Sequence, residues 1–94
     1  MNYELLKKVE KGDVLIDDNT KTSVYVLSND GERMDMLTLR FGFLHLVTLT
    51  HAELLTSPKN FHIATGKEWS DKALPELLMF LNPINEFLEA NKDL

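Results

Sequence analysis

Residues 34–50, MDMLTLRFGFLHLVTLT, restrict what this chain can fold into more than any other stretch. Between Met36 and Pro58 only Arg40 and Glu53 carry a formal charge, although 27% of the chain is charged. A run this apolar predicts two strands at the middle of a sheet, with the other segments covering or extending them. Gly42 decides how they are joined. A tight turn at Gly42-Phe43 places Leu37, Leu39 and Phe41 on one face with Leu44 and Leu46. Thr38 and Arg40 then share the other face with His45, Val47 and Leu49. A chain that merely bends at Gly42 would form a strand of about fifteen residues, far beyond the usual five or six. The hairpin is therefore the reading adopted, with Leu39 in a packed interior.

The flanking segments supply the rest of a small α+β domain. Residues 3–11 have the apolar edge of a short helix in Leu5, Leu6 and Val9, and Gly12 stands where a left-handed cap would end it. The apolar VLI at 14–16 is a strand closed by Asp17-Asp18-Asn19-Thr20, and residues 21–28 form a second strand rich in β-branched and aromatic side chains. Asn29-Asp30-Gly31 is a turn. Residues 51–60 form a connection that starts with one helical turn over 52–55, and residues 61–65 a fifth strand. From Ser70 the pattern is helical. Pro75 predicts a loose lead-in and a regular helix from near Leu74, and Asn82-Pro83 predicts a kink or a break. The expected fold is mostly β: one domain over 1–94, built as a small, strongly bent five-stranded antiparallel sheet or an SH3-like barrel, with a short N-terminal helix and a kinked C-terminal helix. The opening KGDVLI, a Gly-Asp turn into an apolar strand, resembles the start of SH3-like barrels, and that likeness is one of fold alone.

Composition narrows the function classes. With 94 residues the chain suffices for one modest core. It has no cysteine, which excludes disulfides and thiolate chemistry and fits a reducing compartment. The N-terminal MNYELLKKVEKG lacks the apolar segment of a secretory signal, and no apolar run approaches the roughly 18 residues of a membrane span. A cytoplasmic protein is expected. The net charge of −5 is concentrated beyond residue 67, where six acidic residues face only Lys72 and Lys92. Duplex binding draws on clustered Lys and Arg. Here only Lys7, Lys8 and Lys11 cluster, interleaved with Glu4 and Glu10, the pattern of a solvated helix face. Nucleic acid is not the expected partner.

No catalytic signature emerges. His45, His51 and His62 fall close together around Glu53, but their spacing matches no metal motif, so strand-end or local hydrogen-bonding roles are expected and no metal or cofactor is assigned. The carboxylates at Asp17-Asp18 and Asp30-Glu32 lie in turns, where such residues serve turn geometry. No serine stands in a nucleophile elbow, and the four glycines form no phosphate-cradling loop. The chain is therefore read as non-enzymatic.

What remains is the C-terminal helix. At about 100° per residue, Leu74, Leu77, Phe80, Leu81, Ile84, Phe87 and Leu88 cover an arc of about 140°, and Leu78 widens it. Docking on one small sheet needs an arc of roughly 100° or a little more. The excess serves either one generous core face or a second contact, with Glu76, Glu86 and Glu89 on its rim. Trp69, at the junction of the last strand and the helix, is either a wedge or an exposed binding anchor. The expectation is a small interaction module, an inhibitor or adaptor, that binds another protein or a second copy through Trp69, Leu77, Phe80, Ile84 and Phe87. A nucleic-acid-binding barrel and a small-molecule or metal site between strands are the rival readings.

Overall fold

The computed structural model describes residues 3–40 and 43–92. The chain divides into two compact units, Met1–Ala64 and Thr65–Leu94, each described by itself. The first contains α1 (Tyr3–Lys8), β1 (Val14–Asp17), β2 (Ser23–Asn29), β3 (Arg33–Arg40), β4 (Phe43–Thr50), α2 (His51–Thr56) and β5 (Phe61–Ile63). Its strands form one antiparallel sheet in the order β4-β3-β2-β1-β5. The sheet is open. Its edges, β4 and β5, do not pair among the described residues, so the barrel closure entertained from the sequence is not seen. A β5 of only three residues offers too short a ladder to close one.

The charge-poor stretch forms the expected hairpin. Pairing runs without interruption from Arg33↔Thr50 to Arg40↔Phe43. Phe43 is thus the first residue of β4 and not a turn residue, and the connection at 41–42 lies outside the described residues. Leu37 faces Leu46, Leu39 faces Leu44, and Thr38 faces His45, as the parity argument requires. The interior, however, lies on the other face. Met34, Met36, Val24, Val26 and Leu15 pack there with Leu6 and Val9 and with Leu54 of α2, whereas Leu39 is only half-buried. The reason is coverage: the residues packed over the sheet meet the face that carries Met34 and Met36.

β1 and the first half of β2 are buried on both faces, Val14 and Ile16 as fully as Leu15, and Tyr25 as fully as Val24. This is why both strands are nearly continuous apolar runs. Ser23 lies in this region with its hydroxyl buried and, among the described residues, without a hydrogen-bond partner.

α1 ends at Lys8, three residues earlier than its apolar edge suggested. The Asn29 side chain explains the early stop, since its Nδ2 donates to the carbonyls of Leu6 and Val9 at 3.0 and 2.9 Å. Gly12, at φ +93°, instead shapes the turn into β1, where its N–H donates to the Val26 carbonyl. α2 is longer than one turn because it is capped. The Thr50 hydroxyl accepts from the Glu53 N–H, and the Glu53 carboxylate accepts from the Thr50 N–H. One of the two charges in the apolar stretch is thus a capping residue.

The second unit is helical from Gly66 onward. A capping box of Thr65 and Glu68 opens α3 (Gly66–Glu68), a π turn follows at Trp69–Ala73, and α4 spans Leu74–Ala90. The Leu74 N–H donates to the carbonyl of Trp69, five residues back. Pro75 accounts for the widening: it has no N–H to offer Asp71, and its ring would press on that carbonyl in a regular turn. The loose lead-in before Leu74 is therefore a π turn. Pro83 lies inside α4, so the chain does not break into two helices there. The orphaned carbonyl belongs to Met79, which is exposed and open to hydration.

Met34→Ala should cost about 2–5 kcal/mol, since the side chain is fully buried. Leu39→Ala, half-buried, should cost roughly 1–2 kcal/mol. Urea denaturation of the two variants checks the order, and a greater loss for Leu39 would mean the core lies on the other face. Ser23→Ala should stabilise the protein by about 1 kcal/mol, because it removes a buried hydroxyl that has no partner. A destabilised Ser23→Ala would reveal a partner for that hydroxyl.

Candidate functional site

The five residues singled out from the sequence all lie in the second unit, and their exposure rises along the helix. Trp69, at the start of the π turn, is 37% exposed. Leu77 and Phe80 are half-buried, as is Leu81. Ile84 is 47% and Phe87 67% exposed, and Leu88, which belongs to the same stripe, is 59% exposed. Every residue from 82 to 90 is exposed. The stripe thus divides into a shielded N-terminal part and an open C-terminal part. Charge follows the same helix: Lys72 pairs with Glu76 and Lys92 with Glu89, at spacings of four and three.

A feature that sequence reasoning missed lies in the first unit. On the face that carries the core, the sheet opens beside α2 into a groove of about 830 Å³. Leu15, Val24, Met36 and Val47 form its floor, with Leu54 and Phe61 among its apolar walls. Asp17, Glu53 and Lys59 are the charged groups of its lining, and Thr20, Thr22, Thr38 and Ser57 its hydroxyls. The hairpin register carried a signal for it, because a parity that puts Thr38 and Val47 on the core face gives that face a partly polar end.

Asp17 is a buried polar group of this lining. Its Oδ1 accepts the backbone N–H groups of Asn19 and Thr20 at 2.8 and 3.2 Å. Burial acts to raise its pKa, but those two N–H groups, the Thr20 hydroxyl and the Lys59 ammonium together hold it below the ordinary carboxylate value. The other two lowered carboxylates lie elsewhere. Asp30 is held down by the backbone N–H groups of Arg33 and Glu32 in the β2–β3 turn. Asp35, on the opposite face from the groove, is held down by hydrogen bonds from the hydroxyls of Thr48 and Ser28 across three strands. All three act in turns or between strands, as the sequence reading expected for the turn carboxylates.

The histidines are dispersed. His45 is exposed on β4. His51 is buried, with Nε2 2.7 Å from the Asn29 Oδ1. Asn29 Nδ2 already donates to two carbonyls, so Oδ1 is the acceptor and His51 Nε2 carries the proton. His62 pairs through Nδ1 with Asp18. Among the described residues no group of three metal-ligating side chains forms, and no helix is long and apolar enough to cross a membrane. Of the other aromatics weighed from the sequence, Tyr25 is buried and Phe43 is 68% exposed. Comparison with protein-family models, curated proteins and solved structures found no match.

Three carboxylates with lowered pKa fix the sign of the acid response. Each contributes stability above the unfolded value of 3.8 and loses it as pH falls through the lower folded value. Thermal melts should therefore show stability falling as pH drops below about 4. Asp17→Asn should be less stable than wild type at neutral pH and should lose less on acidification. An unchanged acid slope in that variant would remove Asp17 from the account.

Proposed function

We propose that the protein is a non-enzymatic interaction module, an inhibitor or adaptor of the cytoplasm, that binds another protein through its C-terminal helix. The observation that carries this reading is the spacing of Ile84, Phe87 and Leu88, three large apolar side chains at i, i+3 and i+4 that are all exposed on one helix face. An amphipathic helix with such a stripe suits an apolar groove on a partner. Two aromatic anchors, Phe87 and Trp69, are of the type that dominates such interfaces. The acidic balance of this segment, with Glu86 and Glu89 exposed on the helix, favours a partner of opposite charge. The same balance disfavours nucleic acid. Phe87→Glu should abolish capture of the partner from a host lysate while leaving the thermal melt within a degree or two, since the residue is largely exposed. Partner capture that survives both Phe87→Glu and Ile84→Glu would refute the helix as the binding element.

A second reading draws support from the groove beside α2. Its volume of about 830 Å³ falls in the range of small-molecule sites, as does its apolar floor with a few polar groups. An apolar ligand of modest size is the class it would take. Fluorescence enhancement of anilinonaphthalene sulfonate that disappears in Val47→Trp would favour this reading, and no enhancement in the folded wild type would count against it.

A further inference from the structure

We propose that β4 is a self-association edge, at which two copies join antiparallel strands about a two-fold axis to form one continuous ten-stranded sheet. The inference is independent of the helix reading above and concerns the opposite end of the sheet from β5. The two edges are built differently. β5 has three residues, and a short edge strand is one of the devices that prevent pairing with another chain. β4 has eight residues, FLHLVTLT, with no Asp, Glu, Lys, Arg or Pro. Its ladder to β3 has no bulge; the one register shift of the sheet lies between Val26 and Ser28 on β2. Among the described residues β4 pairs only with β3, so alternate backbone N–H and C=O groups along its outer side face away from the sheet. Phe43 and Leu46 are each 68% exposed, and His45 and Thr48 are exposed as well. The strand itself, as described, thus lacks the edge protections of short length, charge, proline and bulge.

Charge, symmetry and closure select a second copy as the occupant. A chain of net charge −5 repels its own copy over most of its surface, but an uncharged strand brings no carboxylates together. A two-fold axis normal to the sheet keeps each face on its own side, so residues can meet only those of the same parity. Centring the axis on Leu46 places Leu46 beside its own counterpart, Leu44 beside Thr48, and Phe43 beside Leu49. The two exposed apolar residues of the strand thereby find apolar neighbours. The resulting sheet ends in a three-residue β5 on both sides, so assembly stops at two copies and does not propagate.

Light scattering and amide hydrogen exchange at micromolar concentration test the proposal. Wild type should show twice the 10.8 kDa mass of one chain, with alternate β4 amides protected from exchange. Leu46→Lys places two like charges side by side at the axis and should give a monomer with an unchanged melt and exchanging β4 amides. Thr48→Lys, also exposed, should weaken the dimer in the same way, and Phe87→Glu should leave it intact. A monomeric wild type would overturn the proposal. So would a dimer that survives both lysine variants, or one that Phe87→Glu dissolves, since the contact would then belong to the helix.

Discussion

Sliding β4 by one residue along β3 would turn Val47 and Leu49 away from Met36 and Met34 and strip the core of that side. The register between these strands is the constraint on which the first unit depends. It fixes which residues share the face that Leu6 of α1, the following Val9 and Leu54 of α2 pack against. It also sets Asp35 on the other face, where Ser28 and Thr48 reach it from the neighbouring strands. A register that satisfies apolar packing on one face and three polar groups on the other leaves few competing alignments.

Asn29 joins that sheet to its helices. Its amide nitrogen satisfies two carbonyls at the end of α1, and its oxygen accepts from His51 at the start of α2 and from the Gly31 N–H at 3.2 Å. One side chain thus serves three elements and a turn. Buried helix ends need such partners, because their last carbonyls have none within the helix. His51, grouped from sequence with two other histidines as a remote metal candidate, is spent on this structural bond.

Some of the apolar side chains that remain in water fall into two groups. Ile84, Phe87 and Leu88 share the open half of α4 and Phe43 and Leu46 lie along β4, while Tyr3, Leu27 and Leu55 stand elsewhere in the first unit; the first two are the surfaces on which the proposals rest. They differ in physics. The helix offers side chains alone, with its backbone bonds satisfied internally, so it suits a shaped groove. The strand offers backbone donors and acceptors as well, so it suits another strand. The polar network around Asp35 draws on Thr48 of β4 and the first capping box on Thr50 at the strand's end, whereas the exposed stripe of α4 contributes to neither.

The sequence by itself determined the element order, because period and turn chemistry are local. The charge-poor hairpin, the Asn29-Asp30-Gly31 turn, the two strands before it, and the start of the regular helix near Leu74 were all legible. So was the parity of the hairpin faces. Which face became the core was not legible, because Leu37, Leu39, Leu44 and Leu46 are as apolar as Met34, Met36, Val47 and Leu49. Only the segments that arrive from elsewhere in the chain break that tie. The length of α1 depended in the same way on an asparagine twenty residues further on. The candidate functional residues were legible as an apolar arc on the helix, but their exposure was not, since a stripe at helical spacing has one pattern whether it is covered or bare. The edge position of β4 and the groove beside α2 were decided only by tertiary structure, because strand order and the space left between elements arise from long-range pairing that no local pattern encodes.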